Sequence, residues 1–225
     1  NDCWPVVSWS GIDYYGRWKA QQYYTRRFYA PVLVSALDAD AKIGFWVTNH
    51  TPVGFSGTLY WKLADNAGNI WDEGGKEVVV AAGESRECAR VDYSDRLAGG
   101  LERALHVKYT LTDSNANLTG IGTMLFCLAK EFAFEHPVII PRVERISDGY
   151  RVHLRANRSV KGVALDTEAG DCLFSDTYFD LEANEERMVT AADADIDGID
   201  SVEELAEALR INCLNDVMLR ARTDA

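Results

Sequence analysis

Residues 59–69 have the sequence LYWKLADNAGN, and this stretch decides the fold class. The run from Leu59 to Leu63 is rich in apolar and aromatic residues, which is typical of a β-strand. The residues that follow, Asp65 to Asn69, form a predicted hairpin turn, because Asp and Asn favour turns and Gly68 can adopt a positive φ. The stretch therefore predicts a strand that turns back into an antiparallel neighbour.

Similar short runs, separated by turn residues, occur on both sides of this stretch. Strands at such spacing predict a β-sandwich. In the first half of the chain the runs lie at 32–34, 43–48, 59–63, 77–80 and 106–111. The sequence therefore predicts a first sandwich over residues 31–133.

A second β unit is predicted over residues 134–225, after a connector that contains Pro137. Its strands are expected at about 142–146, 150–156, 161–166, 173–174, 186–190 and 212–220. A short helix near 201–210 has Ser201 as its N-cap, and Glu204 is expected to close a capping box.

The first 30 residues differ from the rest, because they predict one long aromatic-rich α-helix from Asp13 to about Tyr29. Ser10 or Asp13 can cap it, and Ala30-Pro31 ends it. Aromatic side chains occur around much of its circumference: Tyr14, Tyr15, Trp18, Tyr23, Tyr24, Phe28 and Tyr29. A helix apolar over so wide an arc has to be covered on more than one side.

Composition limits the possible partners. The formal net charge of −12 disfavours nucleic acid and anionic membrane surfaces as partners. The cysteine number is odd and no two cysteines have a metal-binding spacing, which favours free thiols in a reducing, cytoplasmic compartment. The cysteines are Cys3, Cys88, Cys127, Cys172 and Cys213.

Three segments carry a resemblance to a known family. Residues 8–20, SWSGIDYYGRWKA, with 23–24 and 27–31, resemble the β-mannosidases of glycoside hydrolase family 2. Residues 174–181, FSDTYFDL, resemble a motif of that family's last domain, and residues 57–68 are a weaker match. Two positions depart from the family pattern: Thr177 stands where Asn is frequent, and Ala183-Asn184 stands where Pro-Gly is frequent. Asn tolerates the left-handed backbone, so the turn at Asn184 is expected to survive.

The resemblance implies that residues 1–30 are the end of a catalytic (β/α)8 barrel, followed by two immunoglobulin-like β-sandwich domains. The larger protein would hydrolyse terminal β-D-mannosides by a retaining mechanism with two carboxylates, and its catalytic glutamates have no counterpart here. The chain would thus be a non-catalytic accessory region whose partner is the barrel of the same parent chain. We expect the helix at 14–29 to pack against the first sandwich, or against a second copy in a homodimer.

Two groups of residues are candidates for binding. Asn1, Asp2 and Trp4 are similar to a loop that could rim the sugar pocket of the parent enzyme, although packing between barrel and sandwich is the favoured explanation. Asp193, Asp195, Asp197 and Glu204 match the spacing of a Ca²⁺-binding loop. An acidic loop that caps the helix after Ser201 is the simpler explanation, so we expect no cofactor and keep Ca²⁺ as the alternative.

The main functional alternative is a carbohydrate-binding β-sandwich module, since such domains bind glycans through exposed aromatic rings. Trp46, Trp61 and Trp71 are the candidates for this role. Trp46 and Trp61 alternate with apolar residues and are expected to be buried. A stand-alone enzyme has less support, because the sequence lacks a Gly-x-Ser-x-Gly motif.

Overall fold

The computed structural model describes residues 2–6 and 8–223, which form two compact units with separate cores. One unit runs from Phe28 to Phe134, and the other combines the N-terminal segment through Arg27 with the residues from Glu135 onward. The fold is mainly β, as the sequence predicts. None of the described helices is both long enough and apolar enough to span a membrane.

The unit from Phe28 to Phe134 is a sandwich of two antiparallel sheets. Its strands are β1 (Val32–Ala39), β2 (Lys42–Asn49), β3 (Phe55–Asp65), β4 (Ile70–Val80), β5 (Ser85–Asp92), β6 (Leu105–Asp113) and β7 (Leu118–Leu125). The strand orders are β1-β2-β5 and β4-β3-β6-β7. A single turn of 3₁₀-helix at Leu101–Arg103 precedes β6.

The predicted hairpin between β3 and β4 is confirmed. Gly68 has a φ of 85°, and the Asp65 carboxylate accepts hydrogen bonds from the backbone N–H groups of Ala67 and Asn69, at 2.9 and 3.0 Å. Because successive strand residues point to opposite faces, alternate side chains of β2 and β3 enter the core, among them Phe45 and Leu63. Burying each such side chain contributes about 1.5–3 kcal/mol.

Two adjacent glycines of β4 are covered by aromatic rings on opposite faces of the sheet. Trp61 lies over Gly74 on the inner face, where it also stacks on Phe45 with ring centroids 5.3 Å apart. Tyr60 lies over Gly75 on the outer face. A side chain at Gly74 would overlap the indole, whereas one at Gly75 would require only a small shift of the exposed Tyr60 ring.

The second unit contains two three-stranded sheets and a short strand pair. Its strands are β8 (Ile139–Ile146), β9 (Gly149–Ala156), β10 (Val160–Thr167), β11 (Asp171–Cys172), β12 (Phe179–Leu181), β13 (Glu186–Ala192), β14 (Ile196–Asp197) and β15 (Leu209–Asn212). The strand orders are β13-β9-β8, β12-β10-β15 and the pair β11-β14. Helices α2 (Val202–Ala208) and α3 (Leu214–Thr223) flank β15.

The predictions made from local sequence in this unit are partly confirmed. Ser201 caps α2 by accepting the Glu204 N–H at 3.2 Å, and the Glu204 carboxylate accepts the Asp200 N–H at 2.8 Å. Asn184 has a φ of 64°, so it supports the left-handed turn. The prediction of a strand at 212–220 is wrong, because buried Asn215 bonds to Lys161, Glu135 and Ser159 and fixes the start of α3.

The prediction of a long helix from Asp13 is also wrong. The only helix of the described N-terminal segment is α1 (Ala20–Phe28), nine residues long. The Asp13 carboxylate accepts hydrogen bonds from the backbone of Tyr15 and Arg17, and Gly16 has a φ of 86°. Asp13 therefore caps a tight turn closed by an Ile12–Trp18 bridge, and a helix cannot continue through the left-handed Gly16.

The glycine beneath Trp61 provides a test of the sandwich packing. We expect Gly74→Ala to lower the free energy of unfolding of this unit by about 1–3 kcal/mol, because the added methyl group displaces the indole from Phe45. Chemical denaturation followed by tryptophan fluorescence measures the change.

Gly54→Ala is the matched control, since its new methyl group would lie 3.8 Å from the nearest neighbouring atom. Its effect should stay within about 0.5 kcal/mol. If Gly74→Ala were as stable as this control, the indole would not depend on the glycine.

Candidate functional site

Three arginines converge on one aspartate where the N-terminal segment meets the second sandwich. Arg26 and Arg27 donate to Asp176 Oδ1 at 3.2 and 2.6 Å, and Arg187 donates to Oδ2 at 2.6 Å. We call these four residues the arginine clamp. Two of the arginines are on α1 and one is on β13, so the Asp176 carboxylate joins segments that are far apart in sequence.

The two helix arginines also bind the backbone around Asp176. Arg26 donates to the Ser175 carbonyl at 2.7 Å, and Arg27 donates to the carbonyls of Thr177 and Tyr178 at 2.6 and 2.9 Å. Arginine suits this task because its planar guanidinium presents several N–H donors in a fixed geometry. These bonds satisfy loop carbonyls that no strand pairing reaches.

The loop that carries Asp176 is held in place by both sheets of its sandwich. Buried Thr177 accepts the Leu165 N–H of β10 at 2.7 Å through its hydroxyl. Ser175 exchanges two hydrogen bonds with Thr190 of β13, at 2.7 and 2.8 Å. Thr177 therefore supplies an acceptor oxygen that ties this loop to β10.

Aromatic side chains extend the contact on the buried side of α1. The Tyr23 hydroxyl donates to the Phe174 carbonyl at 3.2 Å, and its ring lies 5.2 Å from Trp18 and 6.0 Å from Tyr178. Burial raises the pKa of Tyr23 to about 12. The hydrogen bonds of Tyr23, Arg26 and Arg27 thus go to the motif at 174–178 of the second sandwich, and packing of the helix against the first sandwich or a second copy stays a prediction.

Other aromatic side chains of the same segment face solvent. Trp4 and Trp9 are 68% and 95% exposed, and Tyr14 and Tyr15 are also exposed, with their rings 5.2 Å apart. Single exposed apolar residues are ordinary, and of these four rings Tyr14 and Tyr15 are in contact with each other. The N-terminal segment therefore has one side bound to the second sandwich and further aromatic groups available on its surface.

The predicted rim residues have different environments. Asn1 lies outside the described residues. Asp2 is buried, accepts hydrogen bonds from Ser8 and from Lys19 Nζ at 2.9 Å, and has its pKa lowered to about 2, chiefly by the Ser8 hydroxyl and then by Lys19. Trp4 is instead exposed. A role for these residues at a sugar pocket stays a prediction.

The four residues of the proposed Ca²⁺ loop are separately engaged. Asp193 forms a two-bond ion pair with Arg145 at 2.6 Å, and Glu204 caps α2. Asp197 lies on β14, which pairs with β11, and the Asp195 carbonyl accepts the Leu173 N–H. Over the described residues, no group of three or more His, Cys, Asp or Glu side chains is placed to hold a metal ion.

The tryptophans proposed for glycan binding do not form an exposed row. Trp46 and Trp61 are half-buried, and Trp61 is stacked on Phe45 inside the sandwich. Trp71 is exposed and belongs to β4, where the pairing with β3 is irregular. The sequence-based choice of rings for this alternative is therefore not supported by their geometry.

A second polar cluster, not predicted from the sequence, lies on the sheet β13-β9-β8. His153 is only 8% exposed, with Nε2 3.0 Å from Glu144 and Nδ1 3.3 Å from Glu186. Arg142 and Arg151 also donate to Glu144, each at 3.0 Å. The hydrogen bonds from His153 and then Arg142 lower the pKa of Glu144 to about 2.

This cluster predicts a specific dependence of stability on pH. Glu144 has a lowered pKa in the folded state, so its contribution is complete above its ordinary pKa of 4.5 and disappears as the pH falls to about 2. We expect Glu144→Gln to be less stable than wild type at pH 6, and the difference to vanish near pH 2. Denaturation midpoints across this range measure it.

Glu207→Gln is the control, since Glu207 is exposed on α2. It should match wild type at every pH. A Glu144→Gln deficit that did not change with pH would contradict the assigned role of the carboxylate.

Each of the two sandwiches matches a protein-family model. Residues 134–217 match a mannosidase family model described as an Ig-fold domain. Residues 41–131 match a model described as a mannosidase Ig/CBM-like domain. Together these matches cover the first sandwich from β2 onward and the strands of the second.

Similar full-length proteins are much longer than this chain. Beta-mannosidase B of Thermothelomyces thermophilus is 28% identical over 212 residues, which is 82% of this chain and 24% of that protein. The β-D-mannosidase structure from Dictyoglomus thermophilum has a TM-score of 0.78 at 19% identity, covering 95% of this chain and 25% of that one. The exo-chitosanase structure from Amycolatopsis orientalis has a TM-score of 0.65 at 17% identity, covering 94% and 29%. The chain thus spans about a quarter of the length of these proteins.

Proposed function

We propose that this chain, which belongs to the C-terminal Ig-like region of the glycoside hydrolase family 2 β-mannosidases, is a non-catalytic brace of a larger glycosidase. The arginine clamp carries the proposal. It fastens the N-terminal segment, which resembles the end of a catalytic barrel, to the last sandwich domain through Asp176.

The chemistry of the whole protein is proposed from its relatives. The parent would hydrolyse terminal β-D-mannosides with retention, using two glutamates that lie outside this chain. The β-mannosidases that the chain is similar to support this substrate class, and the chain spans only about a quarter of their length. Its contribution would be to position the barrel, not to react with substrate.

The two sides of the N-terminal segment explain how such a brace would act. Tyr23, Arg26 and Arg27 face the second sandwich, whereas Trp9 and Tyr15 face solvent in this chain. We propose that the exposed rings pack against the catalytic barrel of the same parent chain. Tyrosine and tryptophan suit such a contact because they bury much apolar area with little loss of side-chain entropy.

A homodimer is the second candidate for covering this surface. Exposed Tyr14, Tyr15 and Tyr29 lie within the 14–29 stretch that the sequence suggests for self-association. Sedimentation of the isolated chain and of the parent distinguishes the two ideas. A dimer in both would favour self-association, and a dimer in the isolated chain alone would favour the barrel as the natural occupant.

The clamp predicts a loss of stability on substitution. We expect Asp176→Asn to lower the free energy of unfolding by about 2–3 kcal/mol, because three guanidinium groups lose their shared counter-charge. In the parent enzyme the same change should shorten the half-life at elevated temperature and leave kcat/KM at low temperature unchanged. Thermal inactivation and steady-state assays measure these effects.

Asp171→Asn is the matched control, because Asp171 is exposed and makes one 3.4 Å ion pair with Arg17. It should cost less than about 0.5 kcal/mol. The brace would be the wrong account if Asp176→Asn were no more destabilising than this control.

The proposal also predicts that the purified chain has no glycosidase activity. An aryl β-mannoside assay with the parent enzyme as positive control measures this directly. Turnover that copurifies with the folded chain would show that a catalytic pair is present here after all.

A further inference from the structure

His153 is a nearly buried histidine on the central strand of the sheet β13-β9-β8. Its neighbours on β9, Val152 and Leu154, belong to the hydrophobic core, so by alternation His153 points to the opposite face of the sheet. Its side chain is nevertheless only 10% exposed. A titratable group with so little access to water depends on its protein neighbours for hydrogen bonds.

Each ring nitrogen of His153 faces a carboxylate of a different neighbouring strand. Nε2 lies 3.0 Å from Glu144 Oε1 of β8, and Nδ1 lies 3.3 Å from Glu186 Oε1 of β13. In the strand register Glu144 stands opposite Arg151, and Glu186 stands opposite Arg155. The two carboxylates therefore flank the ring from opposite directions along β9, and the imidazole connects all three strands.

The two contacts depend differently on the protons of the ring. The Nε2 contact has hydrogen-bond geometry, whereas Nδ1 is buried and has no regular hydrogen bond to any of the described residues. A neutral imidazole has one N–H and one acceptor nitrogen, and only the imidazolium donates from both nitrogens. A neutral ring that donates to Glu144 thus turns its Nδ1 lone pair towards the Glu186 carboxylate, and protonation replaces this repulsion by attraction.

Glu144 is well supplied with donors on its side of the ring. Arg142 and Arg151 donate to it at 3.0 Å each, in addition to His153. The hydrogen bond from His153, followed by that from Arg142, lowers the pKa of Glu144 to about 2. Glu144 therefore stays ionised throughout the range in which histidine side chains ordinarily change charge.

Glu186 depends on His153 more than Glu144 does. Arg155, its opposite residue in the register, is exposed and forms no ion pair with it in the part of the chain that the structure describes. Met188, the residue of β13 directly opposite His153, is apolar and offers no alternative donor. Loss of the Nδ1 proton therefore leaves the Glu186 carboxylate facing a lone pair, with no paired cation to offset the repulsion.

We infer that Glu144, His153 and Glu186, here called the His153 latch, form a pH-sensitive switch in the second sandwich. In mildly acidic solution the imidazolium donates to both carboxylates and ties β8 and β13 to β9. As the pH rises, Nδ1 loses its proton while Nε2 keeps its bond to Glu144, and the Glu186 end of the latch opens. The contribution of the latch to stability is thus complete at mildly acidic pH and is lost as the pH rises.

The end of the latch that opens adjoins the arginine clamp. Glu186 is the first residue of β13, and the next residue, Arg187, donates to Asp176. A looser start of β13 holds this clamp arginine less firmly, so we expect alkaline solution to loosen the N-terminal segment as well. This consequence for a bound barrel rests on the proposed brace, whereas the latch is a property of the chain by itself.

Two measurements on the complete chain test the latch. Long-range ¹H–¹⁵N NMR distinguishes protonated from unprotonated ring nitrogens. We expect His153 to carry protons on both nitrogens at the acidic end of its titration and on Nε2 alone at the alkaline end. Urea denaturation at about pH 5.5 and about pH 8.5, followed by the NMR signals of β9, gives the unfolding equilibrium constant of the second sandwich at each pH.

Glu186→Gln is the decisive variant, because it removes the charge that faces Nδ1 and leaves the ring in place. At about pH 5.5 its unfolding equilibrium constant should exceed that of wild type by at least about fivefold. At about pH 8.5 the difference should disappear or reverse, because the glutamine amide can donate to the unprotonated Nδ1.

His136→Gln is the matched control, since His136 is an exposed histidine of the same unit with one carboxylate partner, Asp216, at 3.3 Å. Its stability relative to wild type should change by less than about twofold between the two pH values. A neutral His153 that carries its proton on Nδ1 would overturn the latch, and so would a Glu186→Gln deficit that is equal at both pH values. Neither result bears on the brace, whose test is the stability of Asp176→Asn.

Discussion

The Asp176 carboxylate is the interaction on which the arrangement of the N-terminal segment depends. Its two oxygens accept from Arg26, Arg27, Arg187 and the Thr177 N–H, the number of bonds that a carboxylate can readily accept. The three guanidinium groups near one carboxylate would repel each other if they had no further hydrogen-bond acceptors. The carbonyls of Ser175, Thr177 and Tyr178 offset this repulsion, so clamp and loop stabilise each other.

The hydrogen bonds of Asp176 explain why the first residues of the chain belong to the same compact unit as the last domain. A segment held on one side and rich in exposed rings on the other is suited to connect two bodies. In the other unit, Gly74 and Gly75 of β4 leave room for the rings of Trp61 and Tyr60.

Local signals in the sequence predicted those parts of the fold that local interactions determine. Gly68 defined a hairpin, Ser201 and Glu204 defined a helix start, and both β-sandwiches followed from strand spacing. The prediction of a helix from Asp13 was wrong because an aspartate can cap either a helix or a tight turn. The left-handed backbone of Gly16 favours the turn. The clamp was not predictable, since Arg27 and Asp176 are 149 residues apart and Arg27 has an equally good local explanation at the helix C-terminus.

The most direct test of the clamp is a double-mutant cycle between Arg27→Met and Asp176→Asn, measured as free energies of unfolding of the complete chain. A direct charge-assisted contact predicts that the two substitutions together cost less than the sum of their separate effects, with a coupling of about 1–3 kcal/mol. Effects that add to within about 0.5 kcal/mol would mean that Asp176 does not hold the N-terminal segment, and the account of this chain as a brace would fail.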